Sequence, residues 1–157
     1  MKWLLAACVL AITATHAQEN PVRLSLPLPG LYVTSPFGYR IHPIAGRPQM
    51  HSGVDLRARR DTVRCILDGR VMCTSLRPGL GLSVRAGHGD VESVYGHLSV
   101  RFVSAGDTVV AGQPIGISGS TGLATGEHLH FEVRYRGRPI NPLAFLAGLA
   151  LQPKQEE

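Results

Sequence analysis

The apolar residues of this chain come in short bursts, and their brevity narrows the fold more than any other feature. Val63 to Leu67, Arg70 to Leu76, Leu82 to Ala86, Val91 to Leu98, Thr108 to Val110, Ile115 to Gly119 and Leu129 to Arg136 each read as a strand. Asp68-Gly69, Gly87-His88-Gly89-Asp90, Gly106-Asp107 and Arg136-Gly137 separate them as turns. No segment sustains a long helical period. Pro142 to Leu149 is the one stretch suited to a short helix, with proline near its start. The pattern predicts an all-β domain, a sandwich or barrel-like pile of short antiparallel strands. With 157 residues, there is room for one such domain.

The ends read differently. Residues 1–17 have the form of a removable export signal: Lys2, an apolar run from Trp3 to Ala14, and Thr15-His16-Ala17 ending in a small residue. That run is roughly 12 residues, short of the ~20 that span a bilayer. Its removal predicts an exported protein, periplasmic or extracellular, with no stable membrane insertion. Residues 18–29 read as a lead-in, residues 30–149 as the domain, and residues 150–157 as a polar tail. The formal charge of +5 drops by one when Lys2 leaves, and Arg supplies nearly all the rest. A modest positive field suits an anionic polymer. No nucleic-acid-binding pattern accompanies it, so nucleic acid is not expected as a partner. Cys65 and Cys73 flank Asp68-Gly69 and are expected on adjacent hairpin strands. A two-residue loop puts them on opposite faces, whereas a longer one aligns them for a disulfide.

Chemistry concentrates in His51-Ser52-Gly53-Val54-Asp55, Tyr95-Gly96-His97 and His128-Leu129-His130. His128 and His130 are two apart in a strand-like run and so share a face, leaving Leu129, Phe131 and Val133 for the core. Two imidazoles on one face converge on something more often than they serve packing. His51 and Asp55 lie in a loop leading into a strand, and even spacing returns both to one side. Asp55 stands between Val54 and Leu56, an apolar setting in which a carboxylate needs a cationic partner. Two histidines and one aspartate meet zinc's requirement for three protein ligands and an open position. The remaining histidines are free for proton transfer or oxyanion stabilisation. Spacing alone does not say which are which.

The chain resembles the lysostaphin/LytM-type zinc peptidases of bacterial walls. The resemblance covers about Gly30 to Leu146. It rests on Thr34-Ser35-Pro36-Phe37-Gly38-Tyr39-Arg40, His51-Ser52-Gly53-Val54-Asp55, Tyr95-Gly96-His97-Leu98, Gly106-Asp107-Thr108-Val109, Gly119-Ser120-Thr121-Gly122 and Gly126-Glu127-His128-Leu129-His130-Phe131-Glu132. It implies a compact antiparallel domain of the duplicated hybrid-motif type, with a groove over the metal. It implies one zinc ion held by His51, Asp55 and His130, and catalytic roles for His97 and His128. The implied activity is a zinc metalloendopeptidase acting on peptidoglycan peptides, as a monomer. Glu132, on the face of His130, is a candidate acceptor for that ligand's other ring nitrogen. His42 and Tyr95 are candidates for substrate contact; His88 reads as structural. Some relatives lose ligands and survive as activators of other wall hydrolases, so a zinc-binding scaffold or activator is the alternative. The intact five-residue set favours the peptidase. A biotinyl or lipoyl carrier, suggested by Gly106 to Gly116, fails because no lysine lies between Trp3 and Pro153.

Overall fold

The computed structural model describes residues 22–41 and 46–151. The signal segment expected at residues 1–17, His42 and residues 152–157 of the tail lie outside them. Twelve strands and one helix follow in order: β1 (Val33–Ser35), β2 (Gly38–Ile41), β3 (Pro48–His51), β4 (Val54–Arg57), β5 (Thr62–Arg64), β6 (Gly69–Arg77), β7 (Gly81–His88), β8 (Val91–Arg101), β9 (Thr108–Val109), β10 (Pro114–Ser118), β11 (His128–Tyr135), β12 (Arg138–Ile140) and α1 (Pro142–Ala150). The main sheet runs β1-β4-β11-β8-β7-β6-β9, with β10 bonded to β5 and β8, and β12 to β11. β2 and β3 form a separate two-stranded sheet. All the pairings are antiparallel, so the all-β expectation holds.

Alternation in the sequence sets the two faces of the sheet. Leu129, Phe131 and Val133 of β11, Val54 and Leu56 of β4, and Val84 and Ala86 of β7 are buried in one apolar cluster. Fully burying such side chains stabilises by about 1.5–3 kcal/mol each. His128, His130 and Glu132 of β11 take the opposite face, together with Asp55 of β4. The helix closes the core with Leu146. Asn141 caps it, its Oδ1 accepting from Leu143 N and Ala144 N, and Pro142 follows at the first helical position. Among the described residues no helix is long and apolar enough to cross a membrane.

Residues 22–29 pack against the strands: Ser25 N donates to Ile66 O, Arg64 N to Pro27 O, and Leu28 is buried in the core. Three expectations need correction. Asp68-Gly69 does not turn a hairpin, because β5 bonds to β10 while β6 bonds to β7 and β9. Cys65 and Cys73 are consequently free thiols, one buried and one exposed, with no disulfide between them. The Cys65 thiol donates to Leu67 O. Tyr95 does not line a groove. It is fully buried against Phe131, and its hydroxyl accepts from Ile66 N. The cause is a bulge in β8: Tyr95 faces Val84 but Leu98 faces Leu82, so β8 carries one extra residue there.

Candidate active site

Five side chains from four strands meet on the open face of the sheet. β11 and β4 run in a register that sets His130 directly opposite Asp55. Cross-strand neighbours of this kind bring their Cβ atoms to about 4.5–5.5 Å. His51 ends β3, and the Ser52-Gly53 turn carries the chain into β4. Gly53 is tightly constrained, since a Cβ there would lie 2.4 Å from Phe131 O. The glycine therefore lets the turn lie against β11 and delivers His51 over the His130–Asp55 pair. His97 sits in the β8 bulge with a left-handed φ of 58°. That conformation, costly for a residue with a Cβ, turns its ring away from the core that holds Tyr95.

Backbone carbonyls fix the imidazoles. His51 Nδ1 donates to Pro36 O, His97 Nδ1 to Thr121 O, and His128 Nδ1 to Gly126 O, each at 2.8 Å. A carbonyl only accepts, so each Nδ1 carries a proton and each Nε2 is the nitrogen left to face the cleft. His130 is reversed. Its Nε2 lies 3.1 Å from Glu132 Oε1 and donates there, which turns Nδ1 toward Asp55. Glu132 itself is buried and accepts from Ser52 Oγ at 2.6 Å and from Arg134.

The free atoms converge. His51 Nε2 lies 3.1 Å from His130 Nδ1. Asp55 Oδ1 is 2.9 Å from His130 Nδ1 and 3.2 Å from His51 Nε2. Two ring nitrogens and a carboxylate oxygen this close need a proton or a cation among them. This donor set fits zinc, which accepts nitrogen and oxygen ligands in a three-protein-ligand site. Burial works against charge here, and the partners outweigh it. Burial raises the Asp55 carboxyl, yet His130 and His51 hold it well below the usual carboxylate range. Burial lowers the His130 imidazolium, yet Asp55 and Glu132 lift it to about 9. Burial raises Glu132, but hydrogen bonds from His130, Ser52 and Arg134 bring it down to about 2.

His97 and His128 flank the cluster, their ring centroids 4.6 Å apart, and His97 is 5.9 Å from His130. His128 Nε2 lies 3.6 Å from Asp55 Oδ1. Burial pushes His97 below the ordinary imidazole value, and the neighbouring His128 and His130 add to that. Its neutral form, able to accept a proton, is favoured. All of this opens into a cleft of about 330 Å³, with Leu80, Leu123 and Met50 among its walls.

Sequence reasoning missed the groups that orient the rings. Thr121 is the clearest: its carbonyl holds His97, and its hydroxyl donates to Leu98 O and accepts from Leu82 N. Pro36, Gly126 and Ser52 act similarly. Carbonyl acceptors leave no trace in residue type. Ser52, between His51 and Gly53, carried the only readable signal. His88 is structural as expected, bridging Asp68 O and Ser93 Oγ.

Residues 49–142 match peptidase family M23. The chain is 42% identical over 120 residues to DD-carboxypeptidase/endopeptidase Mpg of Neisseria meningitidis, a match covering 75% of this chain and 28% of that protein. It is 35% identical over 126 residues to the murein hydrolase activator EnvC of Escherichia coli, covering 71% of this chain and 30% of that one. The chain therefore spans under a third of the length of either relative. Among solved structures, the catalytic domain of lysostaphin from Staphylococcus simulans superposes with a TM-score of 0.63 and 32% identity, over 72% of this chain and 89% of that domain.

Proposed function

As the chain belongs to peptidase family M23, we propose that it is an exported zinc-dependent endopeptidase that hydrolyses peptide bonds in bacterial cell-wall peptidoglycan. One observation carries the reading: three potential ligand atoms, His51 Nε2, His130 Nδ1 and Asp55 Oδ1, face one another within 3.2 Å beside two further oriented histidines. His51, Asp55 and His130 would hold the ion. When bound, zinc supplies Lewis acidity that polarises a carbonyl and makes water a stronger acid.

The remaining work falls to the chain's own groups. Thr121 O keeps the Nδ1 proton on His97, so its Nε2 is free to take a proton from an attacking water and return it to the departing amine. His128 is oriented by Gly126 O in the same sense. In its imidazolium form it donates from Nε2 to the oxygen on which negative charge develops. The pair is neutral-capable on one side and donor-capable on the other, as amide hydrolysis needs. Glu132 keeps His130 turned so that Nδ1 and not Nε2 faces the cleft.

The relatives' names supply the substrate class: one is called a DD-carboxypeptidase/endopeptidase, another a murein hydrolase activator. A scaffold needs the fold and not the five side chains, and all five are present here. The test is digestion of purified peptidoglycan by the zinc-loaded chain, with products identified by mass spectrometry. Peptide fragments are expected. His130→Ala is expected to lose metal and activity together, and His97→Ala to keep metal while losing rate. Peptidoglycans of several cross-link types left intact by folded, zinc-loaded protein would leave the activator reading in its place.

A further inference from the structure

Past the donor cluster, β11 carries two more polar side chains on the face of His130. Alternation sets His130, Glu132 and Arg134 in a row, with Phe131 and Val133 turned to the core. The Glu132 carboxylate is fixed at both oxygens. Oε1 accepts from Ser52 Oγ at 2.6 Å and from His130 Nε2 at 3.1 Å. Oε2 accepts from Arg134 Nε at 2.8 Å and from its Nη2 at 2.7 Å.

These contacts set Glu132 between the two segments that carry the candidate ligands. Ser52 adjoins His51, and a Cβ on Gly53 would stand 3.0 Å from Glu132 Cγ. A swing of the carboxylate would therefore disturb His130 and the turn joining His51 to Asp55 together. The Glu132 side chain is only 3% exposed, and Arg134 is the one arginine or lysine paired with it among the described residues. A buried carboxylate without that partner would be both uncompensated and free to turn.

Arg134 has a second carboxylate within reach of its strand position. Glu92 of β8 stands directly opposite it across the β8–β11 pairing. No ion pair joins the two among the described residues. Glu92 Oε2 lies 3.7 Å from Arg85 Nη1 instead and, although buried, has no hydrogen-bond partner. Arg134 thus directs two charge-assisted bonds to Glu132 and leaves the carboxylate across from it unmet.

We propose that Arg134 is a positioning residue for the metal site: it holds Glu132 so that Oε1 meets His130 Nε2 and Ser52, and through them it sets His130 and the His51–Asp55 turn for zinc. This rests on the zinc reading of the cluster and extends it to a residue that is not itself a ligand.

The test is zinc affinity by chelator competition on the full chain. Arg134→Gln is expected to weaken it about tenfold, the lower end of the range for losing a group that orients a ligand. Because the arginine acts through Glu132, the same substitution in a Glu132→Gln background should change affinity by less than about twofold. Arg134→Lys keeps a charge but not the planar pair of N–H groups, so it should weaken affinity less, again only where Glu132 is present. It carries the comparison should the glutamine variant not fold. Arg136→Gln, which removes the exposed Arg136–Asp90 pair two residues along, is the control expected to leave affinity unchanged. Unchanged affinity on losing Arg134 would overturn the proposal. So would an equal loss in both backgrounds, because the arginine would then act on the fold and not through Glu132. A wild type that binds no zinc would end the metal site and this proposal together. Zinc binding without cleavage of peptidoglycan would end the hydrolase alone and leave the Arg134 comparison to decide.

Discussion

His97 shows how one residue can be held at a cost to the fold. Its φ of 58° is left-handed, a conformation that costs a residue with a Cβ about 1–3 kcal/mol. The hydrogen bond to Thr121 O returns about 1 kcal/mol. His97→Gly relieves the strain and loses that bond, so its urea-unfolding free energy should stay within about 1 kcal/mol of the wild type. Activity should fall by about 10²- to 10⁴-fold, the range expected for losing an acid–base group. Glu132 acts on metal affinity instead. Glu132→Gln removes the carboxylate from His130 Nε2, and zinc affinity measured by chelator competition should weaken about 10- to 100-fold. Ser52→Ala, which leaves that carboxylate in place, should weaken it less. A Glu132→Gln protein with unchanged affinity would show that this contact does not orient the ligand.

At the scale of elements, the sheet's centre was legible and its edges were not. β11 declared itself through strict alternation, Leu129, Phe131 and Val133 against His128, His130 and Glu132, and the structure packs the first three into the core and turns the others toward the cleft. β1, β2 and β12 are short and polar, with no apolar period to read. The bulge that separates Tyr95 from His97 leaves the alternation of residue types intact while breaking the alternation of faces, which is why Tyr95 was misplaced. The Cys65–Cys73 hairpin failed for a different reason. A turn signal says that the chain bends, not which strand it meets next, and Asp68 spends its side chain on Ala111 N and Arg23. The most exacting local requirement is at Gly53, where a Cβ would meet Phe131 O at 2.4 Å. Gly53→Ala should destabilise by about 1–3 kcal/mol through overpacking. It should also weaken zinc binding, because His51 and Asp55 flank the displaced turn. Gly126→Ala, with open space around its Cβ, is the control expected to do neither.

For the molecule as a whole, one sheet separates two environments: an apolar face that holds the fold together and a polar face that gathers ionisable groups into a groove. Stability and chemistry therefore answer to pH through different residues. His88, away from the groove, is pushed below the ordinary imidazole value by burial. Its neutral form is favoured in the folded state, so its contribution is full above the unfolded value of about 6.5 and is lost as pH falls towards the lowered folded value. Zinc-loaded wild type should thus lose more unfolding free energy between pH 7.5 and pH 5.5 than zinc-loaded His88→Gln. Equal losses would show that His88 is not held neutral. The central claim is that His51, Asp55 and His130 share one zinc ion. Anomalous diffraction at the zinc absorption edge, on crystals of the zinc-loaded chain, tests it most directly. A single peak about 2.0–2.2 Å from His51 Nε2, His130 Nδ1 and an Asp55 oxygen is the predicted result. A peak at other residues, or one bound through His130 Nε2, would contradict it.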